Sequence, residues 1–457
     1  MTEAFVPEHY VAFRFTTKSI NWGSSSVTVE FAYRLETDGR SEPLVCVERF
    51  EFPIRSAPDE HRREAFDRLT NHLGLIAGLS YYKLAAPAQV LVDVGVWTPA
   101  QLSAHQEILA NGLGEFCFVN GLDPNLRPTY SATLAVRTPP PVVVVLDEGS
   151  LVPVGGGKDS CVSIEALRRF GIAPTLITVN RYPVIAEVIA DAGLNDIAVQ
   201  RILDPQMRDL NERGARNGHV PATAIVSLAV ACAAVLNGYD AVVMSNERSA
   251  SEGNVSYRGY DINHQWSKSA DAEQILRSLI QSEVSGLAYF SLLRPLSELA
   301  IARAFAETCE RYLESFSSCN AAFRLDPARR VSRWCGQCPK CQFVYLALAT
   351  SLSRAALQRI WGAELFDTSP REGFLALLGL TEWKPFECVG ESGECRVALA
   401  MLSESPEWGD HDVVVDLAAA VRAAGKWPTI EEHRAVFEER HAPEIPIKYV
   451  HIVPVGE

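Results

Sequence analysis

Between the extended segment Leu151-Val152-Pro153-Val154 and a helix-period stretch from Cys161 to Arg169 lies Gly155-Gly156-Gly157-Lys158-Asp159-Ser160. Three glycines let the backbone turn tightly and bring several N–H groups toward one point, and the start of the following helix adds partial positive charge. The segment reads as an anion cradle. It is not a Walker A loop, because Asp159 follows Lys158 and Val152 stands where the first glycine is required. A second constellation, Ser245-Asn246-Glu247-Arg248-Ser249-Ala250-Ser251-Glu252-Gly253-Asn254, follows the apolar run Ala241–Met244, and Asn263-His264-Gln265-Trp266-Ser267-Lys268-Ser269 comes soon after. Arg248 and Lys268 suit carboxylate or phosphate, Asn246 and Gln265 suit amides or hydroxyls, and Glu247, Glu252 and His264 can titrate. The plainer reading of these strings is a solvated surface loop. In Asn217-Gly218-His219-Val220-Pro221, the proline near a first helical turn leaves N–H groups that can face an anion, or His219 only caps the helix. Finally, Cys319 with Cys335-Gly336-Gln337-Cys338-Pro339-Lys340-Cys341 offers four thiolates, the right number for tetrahedral Zn²⁺. Against zinc stands the reading of Cys338 and Cys341 as small core residues at a helix start.

These residues need a scaffold. Alternating runs at Tyr10–Phe15, Val27–Tyr33 and Leu44–Phe52 predict an antiparallel meander, followed by helices over about 62–75 and 99–113. Thr138-Pro139-Pro140-Pro141 is a stiff connector poor in donors. After it, Val142–Leu146 reads as a strand buried on both faces, and apolar runs at Thr175–Val179 and Ala241–Met244 alternate with helical patterns. The expected fold class is α/β: a doubly wound parallel-sheet domain over 142–350, an N-terminal α+β domain over 1–137, and a mostly helical C-terminal region over 351–457. In that last region Leu417–Ala424 and Ile430–Arg440 are the clearest helices. Ligands of open α/β sheets bind beyond the carboxyl ends of strands, which is where the 245–254 loop must emerge.

Composition narrows the function. With 42 Lys+Arg against 56 Asp+Glu the net charge is −14, and no basic block is present. A nucleic-acid partner is disfavoured, since that affinity comes from cations on phosphates. The least polar stretch, Val220–Leu236, holds Pro221, Thr223 and Ser227 and reads as a buried helix, not a membrane span. Met1–Glu8 lacks a basic n-region before an apolar run, and eleven cysteines, thinly spread outside one cluster, do not look like a disulfide scaffold. A reducing cytoplasm is expected, with Cys388 and Cys395 among the unpaired thiols. The pattern carries no signature of oligomeric state.

The loop resembles the pyrophosphate loop (PP-loop) of N-type ATP pyrophosphatases, Ser-Gly-Gly-x-Asp-Ser between strand and helix: Gly156, Gly157, Asp159 and Ser160 match, Lys158 takes the free position, and Gly155 replaces the first serine. The cysteine cluster is similar to that of deazaguanine nitrile synthases in the same superfamily. The ordered set of the glycine loop, the 217–221 string, the 245–254 string and the 263–269 string, with Leu79-Ser80-Tyr81-Tyr82-Lys83, resembles the ATP-dependent UDP-N-acetylmuramoyl-L-alanyl-L-glutamate epimerases of bacterial peptidoglycan synthesis. That resemblance implies inversion of the terminal L-glutamate of UDP-MurNAc-L-Ala-L-Glu through an acyl-adenylate, with ATP consumed in the presence of Mg²⁺ and AMP and pyrophosphate released. It implies that Gly155, Gly156, Gly157 and Ser160 cradle pyrophosphate, Lys158 offsets its charge and Asp159 helps hold Mg²⁺. Asn246, Arg248, Ser249, Asn254, Gln265 and His219 are the candidate substrate contacts. Lys268 shares carboxylate or diphosphate binding with Arg248, and His264, Glu252, Glu247 and even Cys161 are chemically able to move the α-proton. Two rivals remain at this level: a PP-loop enzyme that adenylates a nucleobase or deazapurine acid for nitrogen or sulfur transfer, and an ATP-binding sensor without catalysis.

Overall fold

The computed structural model describes residues 4–324 and 326–454; Met1–Glu3, the head of the stretch read for an export signal, lie outside them. The chain divides into two compact units, the first comprising 1–151, 197–242 and 256–289, the second 152–196, 243–255 and 290–457.

In the first unit β1 (Tyr10–Trp22), β2 (Ser26–Thr37) and β3 (Leu44–Pro53) form the expected antiparallel meander, each longer than its apolar run. β4 (Gln89–Trp97) and β5 (Thr129–Leu134) extend it in parallel, in the order β3-β2-β1-β4-β5. Period-two alternation buries Val27, Val29, Phe31, Tyr33 and Leu35 of β2 on one face. The helix Glu60–Ala77 lies on that face, capped by Asp59, whose side chain accepts from the Arg62 N–H. Approach is close: the Tyr33 hydroxyl donates to the Gly74 carbonyl at 2.7 Å, and a Cβ on Gly74 would lie 2.6 Å from Phe15. The predicted second helix is Pro99–Gly112, with a Thr98–Gln101 capping box. The apolar helix Ala222–Asn237 packs on Glu60–Ala77 and is buried along most of its length.

The Val142–Leu146 reading is corrected. Only β6 (Val142–Val143) is a strand, paired in parallel with Val284–Ser285 in a two-stranded ribbon. Val142 and Val144 are buried while Val143 and Val145 are 72% and 79% exposed, so the run is covered on one face and not on two. The strand that follows it is β7 (Asp147–Pro153), and β8 (Thr175–Val179), β9 (Asp196–Ile202) and β10 (Tyr239–Met244) come after it in the chain. Within the first unit β10 runs parallel to β7, with Ala241 opposite Ser150, and β9 runs antiparallel to β3.

The carboxyl ends of β7 and β10 and the whole of β8 belong to the second unit. There Val154 donates to the Ile177 carbonyl at 2.8 Å and Leu176 to Asn195 at 2.9 Å, and the helices Lys158–Arg169 and Pro183–Ala192 follow β7 and β8 as βα units. The rest is helical, including Glu298–Thr308, Pro339–Leu348, Ser392–Glu404, Asp412–Ala423 and Ile430–Phe437. The last ends three residues before the expected Arg440. No helix among the described residues is long and apolar enough to cross a membrane.

Candidate active site

The glycine loop leaves β7 and opens the helix Lys158–Arg169, with Gly157 as an extended N-cap and no described side chain capping the end. Such a terminus can receive an anion. Gly156 has φ +82°, where a side chain is strained, and a Cβ there would stand 3.3 Å from the Ser317 carbonyl oxygen. Its own carbonyl accepts from the Ser317 N–H at 2.8 Å, and the Ser160 hydroxyl donates to the Gly157 carbonyl at 3.1 Å.

Lys158, expected to offset pyrophosphate charge, is buried. Its ammonium pairs with Asp159 at 2.5 Å and with Glu298, which begins the helix Glu298–Thr308 behind the Ser297 cap. Burial alone would lower the Lys158 pKa, but Asp159 and Glu298 together raise it. Oxygens of Asp159, Glu247 and Glu298 come within 4.8 Å of one another, a spacing that can hold a metal ion. Glu247 is 1% exposed, and neither of its carboxylate oxygens has a hydrogen-bond partner among the described residues. A buried charge of that kind needs a counter-charge. Burial pushes the Glu298 pKa up while Lys158 pulls it down, and the Lys340 ammonium lies 3.9 Å from Glu298.

The other residues of the 245–254 loop are occupied in ways their types do not announce. Arg248 donates to the carbonyls of Ala435, Val436 and Glu438 at 2.6 to 2.8 Å, so its guanidinium closes the end of the helix Ile430–Phe437 where a substrate carboxylate was expected. Ser249 donates to Glu394 and accepts from the Glu298 N–H at 3.2 Å. Glu252 pairs with Lys384 at 2.6 Å, Asn246 donates to Ser291 at 3.1 Å, and Asn254 donates to the Pro385 carbonyl at 2.6 Å. Cys161 is fully buried, and burial pushes its thiol well up, away from use as a base. Cys319, Cys335, Cys338 and Cys341 converge, as their spacing suggested.

In the first unit His264 and His219 come together with ring centroids 4.4 Å apart. Glu115, in the first turn of the helix Gly114–Val119, hydrogen-bonds His264 Nδ1 and lies 3.9 Å from His219 Nδ1. Burial, and then the neighbouring His264 and Lys83, lower the His219 pKa to about 3, so that ring is neutral at physiological pH. Lys83 donates to Asn217 Oδ1 at 2.8 Å and to the Gly218 carbonyl at 2.7 Å, and burial lowers its pKa to about 8. Gln265 accepts the Lys268 N–H on its carbonyl at 2.7 Å within the short turn before the helix Ala270–Glu283. Lys268 thus stands one residue ahead of Ser269, the cap of that helix.

Sequence reasoning missed Glu115, Glu298 and Lys340. Glu298 lies 140 positions from Lys158, and its only local signal is the Ser-Glu start of a helix. Glu115 had a comparable signal, an acid just after Gly112-Leu113-Gly114 at a helix start.

An α/β scaffold that carries a glycine loop at a helix start, an acid cluster and a histidine–carboxylate pair has the parts of an enzyme. The family model described as the MurL N-terminal domain matches residues 4–292, and that of the MurL C-terminal domain matches residues 315–432. The chain belongs to the MurL family. A protein of Salinispora tropica named UDP-N-acetyl-alpha-D-muramoyl-L-alanyl-L-glutamate epimerase is 42% identical over 410 residues, covering 89% of this chain and 88% of its own. Proteins of the same name from a Micromonospora species and from Xanthomonas oryzae pv. oryzae are 42% and 44% identical, over 90% and 75% of this chain and 91% and 76% of theirs. All three names describe an epimerase and not nitrogen or sulfur transfer. No solved structure matches the chain.

Proposed function

We propose that this chain inverts the terminal L-glutamate of UDP-MurNAc-L-Ala-L-Glu, using ATP to form an acyl-adenylate and releasing AMP and pyrophosphate, as a PP-loop enzyme of peptidoglycan precursor synthesis in the cytoplasm. Family membership and the relatives' names support the substrate; the observation that carries the ATP step is the glycine loop beside the half-buried Asp159 and the buried Glu247 and Glu298. A free carboxylate opposes loss of the neighbouring α-proton, because the resulting dianion concentrates charge. Conversion to a mixed anhydride with AMP removes that charge and acidifies the C–H bond. Deprotonation, protonation from solvent on the other face and hydrolysis then deliver the D-glutamyl product.

The loop's turn and the start of the helix Lys158–Arg169 receive phosphate oxygens. Lys158 acts by holding Asp159 and Glu298 in place. Three carboxylates, one with both oxygens unpartnered, are the hard oxygen donors that Mg²⁺ prefers, and the ion when bound there would neutralise phosphate charge. His264 is the base assigned to the α-carbon. Its Nδ1 hydrogen-bonds Glu115, a carboxylate that orients the imidazole for proton transfer.

The test is incubation with ATP, Mg²⁺ and UDP-MurNAc-L-Ala-L-Glu in deuterated water, scoring AMP, glutamate chirality and deuterium at the α-carbon. D-glutamate, AMP and one α-deuteron are expected. In His264→Asn, inversion and α-exchange should fall by about 10² to 10⁴ while AMP formation persists. AMP formed without inversion by the unaltered protein would refute the epimerase reading, and unchanged exchange in His264→Asn would refute the base.

A further inference from the structure

The cysteine cluster takes no part in the reaction above, yet it has the geometry of a built metal site. The Sγ separations are 3.9 Å for Cys319–Cys338, 3.7 Å for Cys335–Cys341 and 3.5 Å for Cys338–Cys341, and all four sulfurs lie within 4.8 Å of one another. Sulfurs about 2.3 Å from a tetrahedral zinc ion stand about 3.8 Å apart. Disulfide sulfurs would stand at about 2.05 Å. The surrounding backbone treats the sulfurs as thiolates: the Cys335 N–H points at Cys319 Sγ and the Cys338 N–H at Cys335 Sγ, each at 3.4 Å. Gly336, with φ +70°, turns the chain between the two cysteines of the first pair, and Cys338 starts the helix Pro339–Leu348, which carries Cys341 in its first turn.

The cluster is also tied to the glycine loop. Cys319 donates its N–H to Ser317 Oγ at 3.1 Å, and Ser317 Oγ donates to the Arg333 carbonyl at 2.8 Å. The Ser317 N–H is the donor that holds the Gly156 carbonyl at 2.8 Å, and a Cβ on Gly157 would stand 3.3 Å from Ser318 Cβ. The segment 317–319 thus has the cysteine cluster at one end and the loop at the other.

We propose that Cys319, Cys335, Cys338 and Cys341 bind one structural zinc ion, which fastens 317–319 to 333–341 and so braces the glycine loop. The proposal stands on sulfur geometry and on the Ser317 contacts, independently of the reaction assigned above. Four thiolates with no open position give the ion a structural and not a catalytic role.

Protein purified without added metal and dialysed against metal-free buffer should contain about one zinc per chain by mass spectrometry. Cys335→Ser and Cys338→Ser should retain under a tenth of it, and Cys388→Ser, outside the cluster, should keep it all. Replacing zinc with cobalt(II) in the unaltered protein should give the intense visible absorption of a tetrahedral thiolate site, a readout that does not require a serine variant to fold. Zinc removal should speed amide exchange in the peptide covering 155–160 at least tenfold, and added zinc should restore protection. A protein without zinc, iron in its place, zinc kept by Cys335→Ser, or an octahedral cobalt spectrum would overturn the site. Loop exchange indifferent to zinc would overturn the brace.

Discussion

Lys158 and Glu298 are 3% and 1% exposed, so their ion pair is a sharp place to test the site's electrostatics. Breaking a buried pair from one side leaves an uncompensated charge, which costs about 3–5 kcal/mol. Lys158→Met keeps the aliphatic volume and removes a cation that pairs with both Asp159 and Glu298, while Glu247 is buried in the same cluster and Lys340 stands 3.9 Å from Glu298. The expected cost is about 4 kcal/mol. Glu298→Gln leaves Lys158 its second partner, Asp159, so it should cost only about 2 kcal/mol. The double variant should be no less stable than Lys158→Met alone, which makes the coupling at least about 2 kcal/mol. The assay is native-state hydrogen exchange against urea in Mg²⁺-free buffer, read on peptides of the helix Lys158–Arg169, because two units need not unfold together. Additivity of the two substitutions within about 0.5 kcal/mol, or a Lys158→Met cost below about 1 kcal/mol, would refute the reasoning.

Glu247→Gln removes an unpartnered buried charge, so stability should hold or rise while the Mg²⁺ concentration for half-maximal AMP formation climbs at least tenfold; an unchanged Mg²⁺ requirement would remove Glu247 from the metal set. Arg248→Lys loses the planar fork that reaches three carbonyls, and should lower stability by about 1–3 kcal/mol without altering KM for the UDP substrate; a raised KM with unchanged stability would return Arg248 to substrate binding. Glu394 is pushed up to about 8 by burial, partly opposed by its bond from Ser249, so the folded chain keeps a proton that the unfolded chain releases above about 4.5. Its contribution is complete below that pH and is lost as pH rises toward 8, and Glu394→Gln should flatten the decline in urea stability over this window. A slope identical to that of the unaltered protein would show that Glu394 is not its source.

Local chemistry made much of this legible in advance. Three glycines followed by a helix-period segment can only turn and then wind, and β7, the loop and the helix Lys158–Arg169 follow that order. The meander was visible because β2 and β3 alternate along their length, and the cysteines because thiol spacing leaves few options. Val142–Leu146 misled because composition cannot say how many faces of a strand are covered, and here neighbouring elements cover one. The trio Asp159, Glu247 and Glu298 was hidden for a different reason: its members are far apart in the chain, and only the packing of two helices and a strand end brings them within 4.8 Å.

Glu247 and Arg248 show where residue type stops being informative. Both leave the carboxyl end of β10, both carry a full charge, and the string that contains them looked like a single binding loop. Glu247 holds an extended conformation, φ −97° and ψ 169°, and the chain then enters the short helical turn Arg248–Ser251. Consecutive side chains of extended backbone point to opposite sides. One charge is therefore delivered into the acid cluster and the next is turned toward the end of the helix Ile430–Phe437. The carbonyls there satisfy Arg248, whereas nothing among the described residues satisfies the Glu247 oxygens. A buried carboxylate without a hydrogen-bond partner, beside Asp159 and Glu298, is where the proposed Mg²⁺ would sit, and that distinction is made by one backbone step and not by the identity of either residue.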